Sequence, residues 1–165
     1  MKSSDKFLLA IVVGIVLLVL VAFVVVLARP EPTYQAEDTA GGVAHNYLLA
    51  LQQEDYGRAY GYLSPSLVRY PASPADFAEQ VADSRWRFPH NDDEVSLAVL
   101  SEKVVGNSTR VEVRQSRFYG GGLFDSGQSI STFTMKLQQE PAGWKIVAGD
   151  RYFEPCWQNW KTYCD

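Results

Sequence analysis

The chain reads as an α+β protein, an N-terminal membrane-crossing helix followed by a domain of about three helices packed on an antiparallel sheet of about four strands. Three observations predict this. An uninterrupted apolar run extends from Phe7 to Ala28. Apolar residues then recur at helical spacing between Ala40 and Val81, and from Glu94 onward the spacing changes to alternate positions.

The apolar run carries no charged or strongly polar side chain. As a helix rising ~1.5 Å per residue it reaches about 33 Å, enough for a bilayer core. Its β-branched residues make a poor helix in water, but in lipid the backbone must satisfy its own hydrogen bonds. Lys2 and Lys6 precede it, whereas Arg29, Glu31, Glu37 and Asp38 follow. The basic excess at the front predicts a cytoplasmic N-terminus, residues 1–6, and an extracytoplasmic remainder at the cell membrane. A cleaved signal peptide is the competing reading, with Val26 and Ala28 before the cleavage point. The apolar run exceeds the usual ~7–15 residues of a signal core, which favours an uncleaved anchor over 7–28.

Residues 29–37, with Pro30 and Pro32, read as a short stiff linker. TAGGVAHNYLLALQQ follows, with Ala40, Ala44, Tyr47, Leu48 and Leu51 on one helical face and Asp38 or Thr39 able to cap its start. EDYGRAYGYL is a second, short helix, and Pro65 and Pro71 interrupt what comes after it. SPADFAEQVADS has Ser73 to cap, Pro74 at the first helical position, Asp76 to complement the dipole, and Phe77 and Val81 inward.

Four strands follow: EVSLAVLSEKVV, TRVEVRQSRFY, QSISTFTMKLQQE and WKIVAGDRYF. Turns at Gly106-Asn107 and in EPAG, and a longer loop at GGGLFDSG, join them as an antiparallel meander. Val111 and Val113 face inward. By strand parity Arg117 and Tyr119 share their face, where an arginine needs a partner or an open cavity and could hold an anionic group. A bulge would instead turn Phe118 inward.

Composition narrows the partners. The chain has 15 Lys+Arg against 19 Asp+Glu, and of these only Lys2, Lys6, Arg29 and Asp5 precede residue 31. The acidic balance of the remainder does not fit nucleic acid, which calls for a basic clustered face. No zinc spacing, nucleophile elbow or phosphate-loop signature is present, and no catalytic residue, metal or cofactor is expected. His45 reads as a helix-border residue, and His90 as part of a solvated acidic loop with Asp92, Asp93 and Glu94.

The only two cysteines, Cys156 and Cys164, lie in YFEPCWQNWKTYCD among five aromatic rings. Outside the cytoplasm they are expected to form one disulfide, a short ring worth roughly 2.5 kcal/mol, in preference to a metal site or a redox pair. Residues 153–165 are then a stapled aromatic tail.

YLLALQQEDYGRAYGYLSPSL and FTMKLQQEPAGWKIVAGD carry a further signal. In these stretches the chain resembles the nuclear-transport-factor-2-like superfamily, also called SnoaL-like or cystatin-like, over roughly 38–152. The resemblance implies a cone, a curved sheet wrapped around helices with one open end. It supplies no catalytic signature, since the fold hosts both enzymes and non-enzymes. A single-span anchor followed by such a domain is similar to accessory and assembly proteins of bacterial envelopes. The function expected is therefore a membrane-anchored, non-enzymatic binding or assembly domain. Its expected partners are the lipid bilayer through 7–28, an envelope protein or second copy, or a small apolar ligand near Arg117, Tyr119 and Tyr47. The alternative is a cone-pocket enzyme, isomerase- or cyclase-like, doing acid/base chemistry on a small hydrophobic substrate.

Overall fold

In the computed structural model the residues described are 3–27, 32–84, 86–88, 95–120 and 126–158. The chain divides into two compact units, Met1–Pro32 and Thr33–Asp165. The first holds α1, Ser3–Leu27. Its stretch Lys6–Val24 is long and apolar enough to cross a membrane, and none of it is buried. That pattern suits a helix solvated by lipid rather than by protein.

The second unit contains α2 (Ala40–Gln52), α3 (Tyr56–Gly61), α4 (Pro74–Asp83), β1 (Val95–Val105), β2 (Ser108–Gly120), β3 (Ser126–Glu140), β4 (Gly143–Gly149) and α5 (Pro155–Gln158). The strands form one antiparallel sheet in the order β1-β2-β3-β4. Helices first and an antiparallel meander after them is the α+β order that the resemblance implies.

Each helix starts where a side chain satisfies its orphan N–H groups. Thr39 Oγ1 accepts from Gly42 N at 3.0 Å, Asp55 Oδ1 from Arg58 N at 3.0 Å and Ser73 Oγ from Asp76 N at 3.1 Å. Phe77 and Val81 of α4 are fully buried, as their spacing predicts.

α2 departs from a simple amphipathic helix. Every residue from Ala40 to Leu51 except His45 is buried. It packs against all four strands and against α3, so no face remains for solvent. Of the glycines that weaken its first turn, Gly42 has a packing role. A Cβ there would collide with the Ala36 carbonyl, whereas one on Gly41 would meet only the end of the exposed Glu102 side chain.

Thr33–Asp38, in the stretch read from sequence as mostly linker, are stitched to the helices. Asn46 bonds both the N–H and the carbonyl of Gln35, at 2.7 and 2.9 Å. His45 Nε2 lies 3.1 Å from the Thr33 carbonyl, and the Tyr34 hydroxyl donates to Gln53. Trp144 Nε1 donates to the Asp38 carbonyl.

The inner sheet face buries Val111, Val113, Phe133, Met135, Leu137 and Ile146. The fourth strand is shorter than its sequence suggests and ends at Gly149. Tyr152 takes a left-handed conformation (φ 55°), which turns the chain out of the strand. Phe153 and Trp157 then fold back into the core, fully buried. The outer edge of β4 is closed by the segment after α3. Ser64 N donates to the Ile146 carbonyl and Ile146 N to the Tyr62 carbonyl, with a parallel bridge between Leu63 and Ile146.

Candidate functional site

The site is built along β2. The β2–β3 register runs without interruption from Ser108↔Gln138 to Gly120↔Ser126. The bulge in the sheet's first pair lies on β1, between Val99 and Ser101. Parity therefore holds, and Val111, Val113, Gln115, Arg117 and Tyr119 share one face. The first three are buried, Arg117 is partly exposed and Tyr119 is half exposed, so this row passes from the core to an opening.

At that opening lies a cavity of about 450 Å³, lined by Gln115, Arg117, Tyr119, Ser129, Ser131, Trp86, Arg87, Asp150 and Arg151. Ser131 and Ser129 stand on β3 opposite Gln115 and Arg117. Trp86 and Arg87 come from the connection after α4, and Asp150 and Arg151 from the turn after β4. Arg151 Nη1 donates to Gln115 Oε1 at 2.6 Å and approaches Ser131 Oγ at 3.4 Å. Asp150 Oδ2 accepts from Thr134 N at 3.0 Å and from Thr134 Oγ1 at 2.7 Å. The Arg87 guanidinium lies over the Trp86 ring, 4.0 Å from its centroid. Tyr152 N donates to the Arg87 carbonyl, joining two walls of the opening.

Three guanidinium groups and one carboxylate line the cavity among the described residues, and Thr134 already holds one oxygen of that carboxylate. Hydroxyl, amide and guanidinium groups outnumber apolar surface here. A small apolar ligand, the sequence expectation, is a poor match to this lining. Such an opening offers multiple charge-assisted donors to an anion, flanked by two aromatic rings.

The structure brings Arg117 and Tyr119 together on this cavity but not Tyr47. Tyr47 is fully buried on α2, and its hydroxyl donates to the Tyr152 carbonyl at 2.6 Å. Burial pushes its phenol well above the ordinary range, and the Glu154 carboxylate pushes it further the same way. It fixes the turn that carries Arg151 and does not line the opening.

Trp86, Arg87, Asp150 and Arg151 were missed by sequence reasoning. The only sequence signal was the mixture of cations and rings in RWRFP. Asp150 and Arg151 were hidden by being read as strand. Among the described residues no three His, Cys, Asp or Glu side chains gather to hold a metal ion.

A second cavity, of about 390 Å³, includes Glu37, Arg58, Tyr62, Trp144 and Lys145, and its polar groups largely satisfy one another. Glu37 Oε1 accepts from the Tyr62 hydroxyl at 2.6 Å and from Arg58 Nη2 at 3.2 Å. The Tyr62 hydrogen bond holds the Glu37 carboxyl below its usual range; burial opposes it, and Arg58 adds to the lowering. Arg58 also lies over the Tyr34 ring, 3.5 Å from its centroid.

Cys156 lies in α5, and no cysteine among the described residues is free. Its proposed partner Cys164 lies outside the described residues, as do Trp160, Tyr163 and His90 with its acidic neighbours. Trp157, next to Cys156, is buried against Phe77, Phe88 and Phe153, and its indole N–H donates to Gln80 Oε1 at 2.8 Å.

No protein-family model matches the chain, and no curated protein matches it. Solved structures do. One is a SEC-C motif-containing protein from Rhodopseudomonas palustris, 14% identical, covering 72% of this chain and 83% of its own, with a TM-score of 0.49. Another is a nuclear-transport-factor-2-like protein with a cystatin-like fold from Novosphingobium aromaticivorans, 14% identical, covering 66% of this chain and 75% of its own, with a TM-score of 0.45. An uncharacterised cystatin-fold protein from the same organism is 12% identical over 67% of this chain and 98% of its own, with a TM-score of 0.39. The two Novosphingobium proteins are of the nuclear-transport-factor-2-like and cystatin-like kind that the sequence resembles. At these identities and scores they say nothing of activity.

Proposed function

We propose that this chain is a membrane-anchored extracytoplasmic binding domain whose open cavity takes a small anionic molecule without transforming it. The observation that carries this reading is the convergence of Arg87, Arg117 and Arg151 on one opening, with Ser129, Ser131 and Gln115 beside them. Guanidinium groups present several donors in a planar fork and suit carboxylate and phosphate oxygens. The apolar helix supplies location, placing the domain where membrane-associated partners are concentrated. Lys2 and Lys6, ahead of the apolar run, support a cytoplasmic N-terminus. In this reading Cys156 and Cys164 form the single disulfide of an oxidising compartment, stapling the tail that carries Trp157.

Native mass spectrometry of the full chain, released from detergent micelles, tests the anion reading with two probes of matched shape, benzoate and benzamide. Benzoate is expected to add to the chain, and the adduct to be lost in Arg117→Gln. Equal binding of neutral benzamide, or benzoate binding that Arg117→Gln leaves intact, would return the cavity to an apolar or incidental role.

A further inference from the structure

Building on the reading of α1 as an anchor, we propose that the tip of the β1–β2 hairpin docks on an anionic lipid surface. Its valines enter the headgroup layer and the cations behind them meet lipid phosphates. β1 and β2 join through a two-residue turn, Gly106-Asn107, after the pair Val105↔Ser108. Gly106 takes the left-handed conformation (φ 63°) that such a turn requires, and Ser108 Oγ donates to the Val105 carbonyl at 3.1 Å. The tip is a closed turn, yet its side chains are apolar. Val104 is 75% exposed and Val105 43%. By parity Val104 belongs to the inner row and Val105 to the outer, so apolar surface lies on both sides of the tip. The end of a hairpin in water ordinarily carries polar residues.

Behind the tip, Lys103, Arg110 and Lys136 stand directly opposite one another on β1, β2 and β3. At ~4.8 Å per strand the row spans about 10 Å of the outer sheet face. All three are exposed, and among the described residues none has an ion pair or a side-chain hydrogen bond. The residues before, after and across from each of them are all described. Glu102, next to Lys103 in the chain, turns toward α2 at Gly41. Glu112, one row further from the tip, accepts from Ser101 Oγ at 3.2 Å. Like charges directly opposite one another destabilise a sheet. A lysine on the border strand β1 discourages strand addition, but Arg110 and Lys136 lie on inner strands, where that need is absent. A counter-charge outside the fold accounts for the row.

The anchor identifies that counter-charge. Residues 28–32 alone separate α1 from the second unit. In the anchored chain, lipid headgroups are therefore the anions at highest effective concentration. Exposed apolar side chains beside Lys and Arg are the pattern of interfacial membrane contact, with the cationic stems lying along the apolar boundary. Arg110 offers phosphate oxygens a planar fork, and the two ammonium groups act as point charges.

The test uses the full chain, one copy per lipid nanodisc, with Asn107→Cys labelled without reductant by a polarity-sensitive fluorophore. Discs of phosphatidylcholine are compared with discs of phosphatidylcholine and phosphatidylglycerol in equal parts, each with a nitroxide lipid as quencher. Quenching is expected to be at least about threefold stronger in the anionic discs, and the excess to vanish at high salt. Lys103→Gln, Arg110→Gln and Lys136→Gln together should abolish that excess, and Val104→Ser with Val105→Ser should weaken quenching. The triple variant relieves like-charge neighbours, so its urea midpoint should equal or exceed that of wild type. A lower midpoint assigns the row to the fold and overturns its lipid role. A tip unquenched in both discs, or quenched equally in both, overturns the docking and leaves the anchor standing. A fluorescence change that needs two copies per disc assigns the tip to a second copy and overturns it too. Chains that enter neither disc overturn the anchor reading and this proposal together.

Discussion

At the scale of single residues, the largest consequences come from polar atoms with one buried partner. The Tyr47 hydroxyl crosses from α2 to the Tyr152 carbonyl at 2.6 Å, in the left-handed turn that presents Arg151. Tyr47→Phe keeps the ring and removes this hydrogen bond. The expected cost is about 1–3 kcal/mol, read as a lowered urea midpoint with unchanged slope. A midpoint equal to wild type would show that the bond contributes nothing net. The placement of Tyr47 was not legible in sequence. Its helical face was readable from the spacing with Leu51, but the end of its side chain meets a carbonyl more than a hundred residues away. Arg117 and Tyr119 were legible for the opposite reason, because parity along one uninterrupted strand carries the inward face outward from Val113.

At the scale of elements, Ser73-Pro74 and the Phe77–Val81 spacing specify α4 by themselves, since its caps and buried stripe are local. The all-round burial of α2 is set instead by four strands and α3 packing around it, and the alanines and glycines of its first half fit without marking a face. The end of β4 was hidden because a tyrosine, not a glycine, takes the left-handed turn. The docking of Thr33–Asp38 on α2 and α3 likewise rests on distant partners, and it has a pH signature. Glu37 has its folded-state pKa depressed, chiefly by the Tyr62 hydroxyl. A depressed carboxyl stabilises the fold above its unfolded value, and that contribution is lost as pH falls through the folded value. Glu37→Gln should therefore be slightly less stable than wild type at neutral pH, with the gap closing on acidification below the ordinary carboxylate range. Chemical denaturation of both chains across that range checks this, and a gap that widens in acid would reverse the assignment. The effect is small because Glu37 is exposed.

At the scale of the whole molecule, the anchor and the tail make one linked prediction. A reporter enzyme active only outside the cytoplasm, fused after Asp165, should be active, and the same reporter fused before Met1 should not. From cells giving that result, the denatured chain should gain about 2 Da on reduction, two hydrogens for one opened disulfide. An active N-terminal fusion would invert the topology, and an unchanged mass would remove the staple. A different consequence follows from the way the sheet is finished. Its β4 border is sealed by the segment through Leu63, whereas among the described residues nothing pairs with the outer border of β1. A strand border left open invites another strand, and chains with two such borders can add copies without limit. Among the described residues this sheet has one covered border, at Ile146. Border-to-border joining of two copies through β1 would use the β1 border in both, so growth of that kind terminates at a pair.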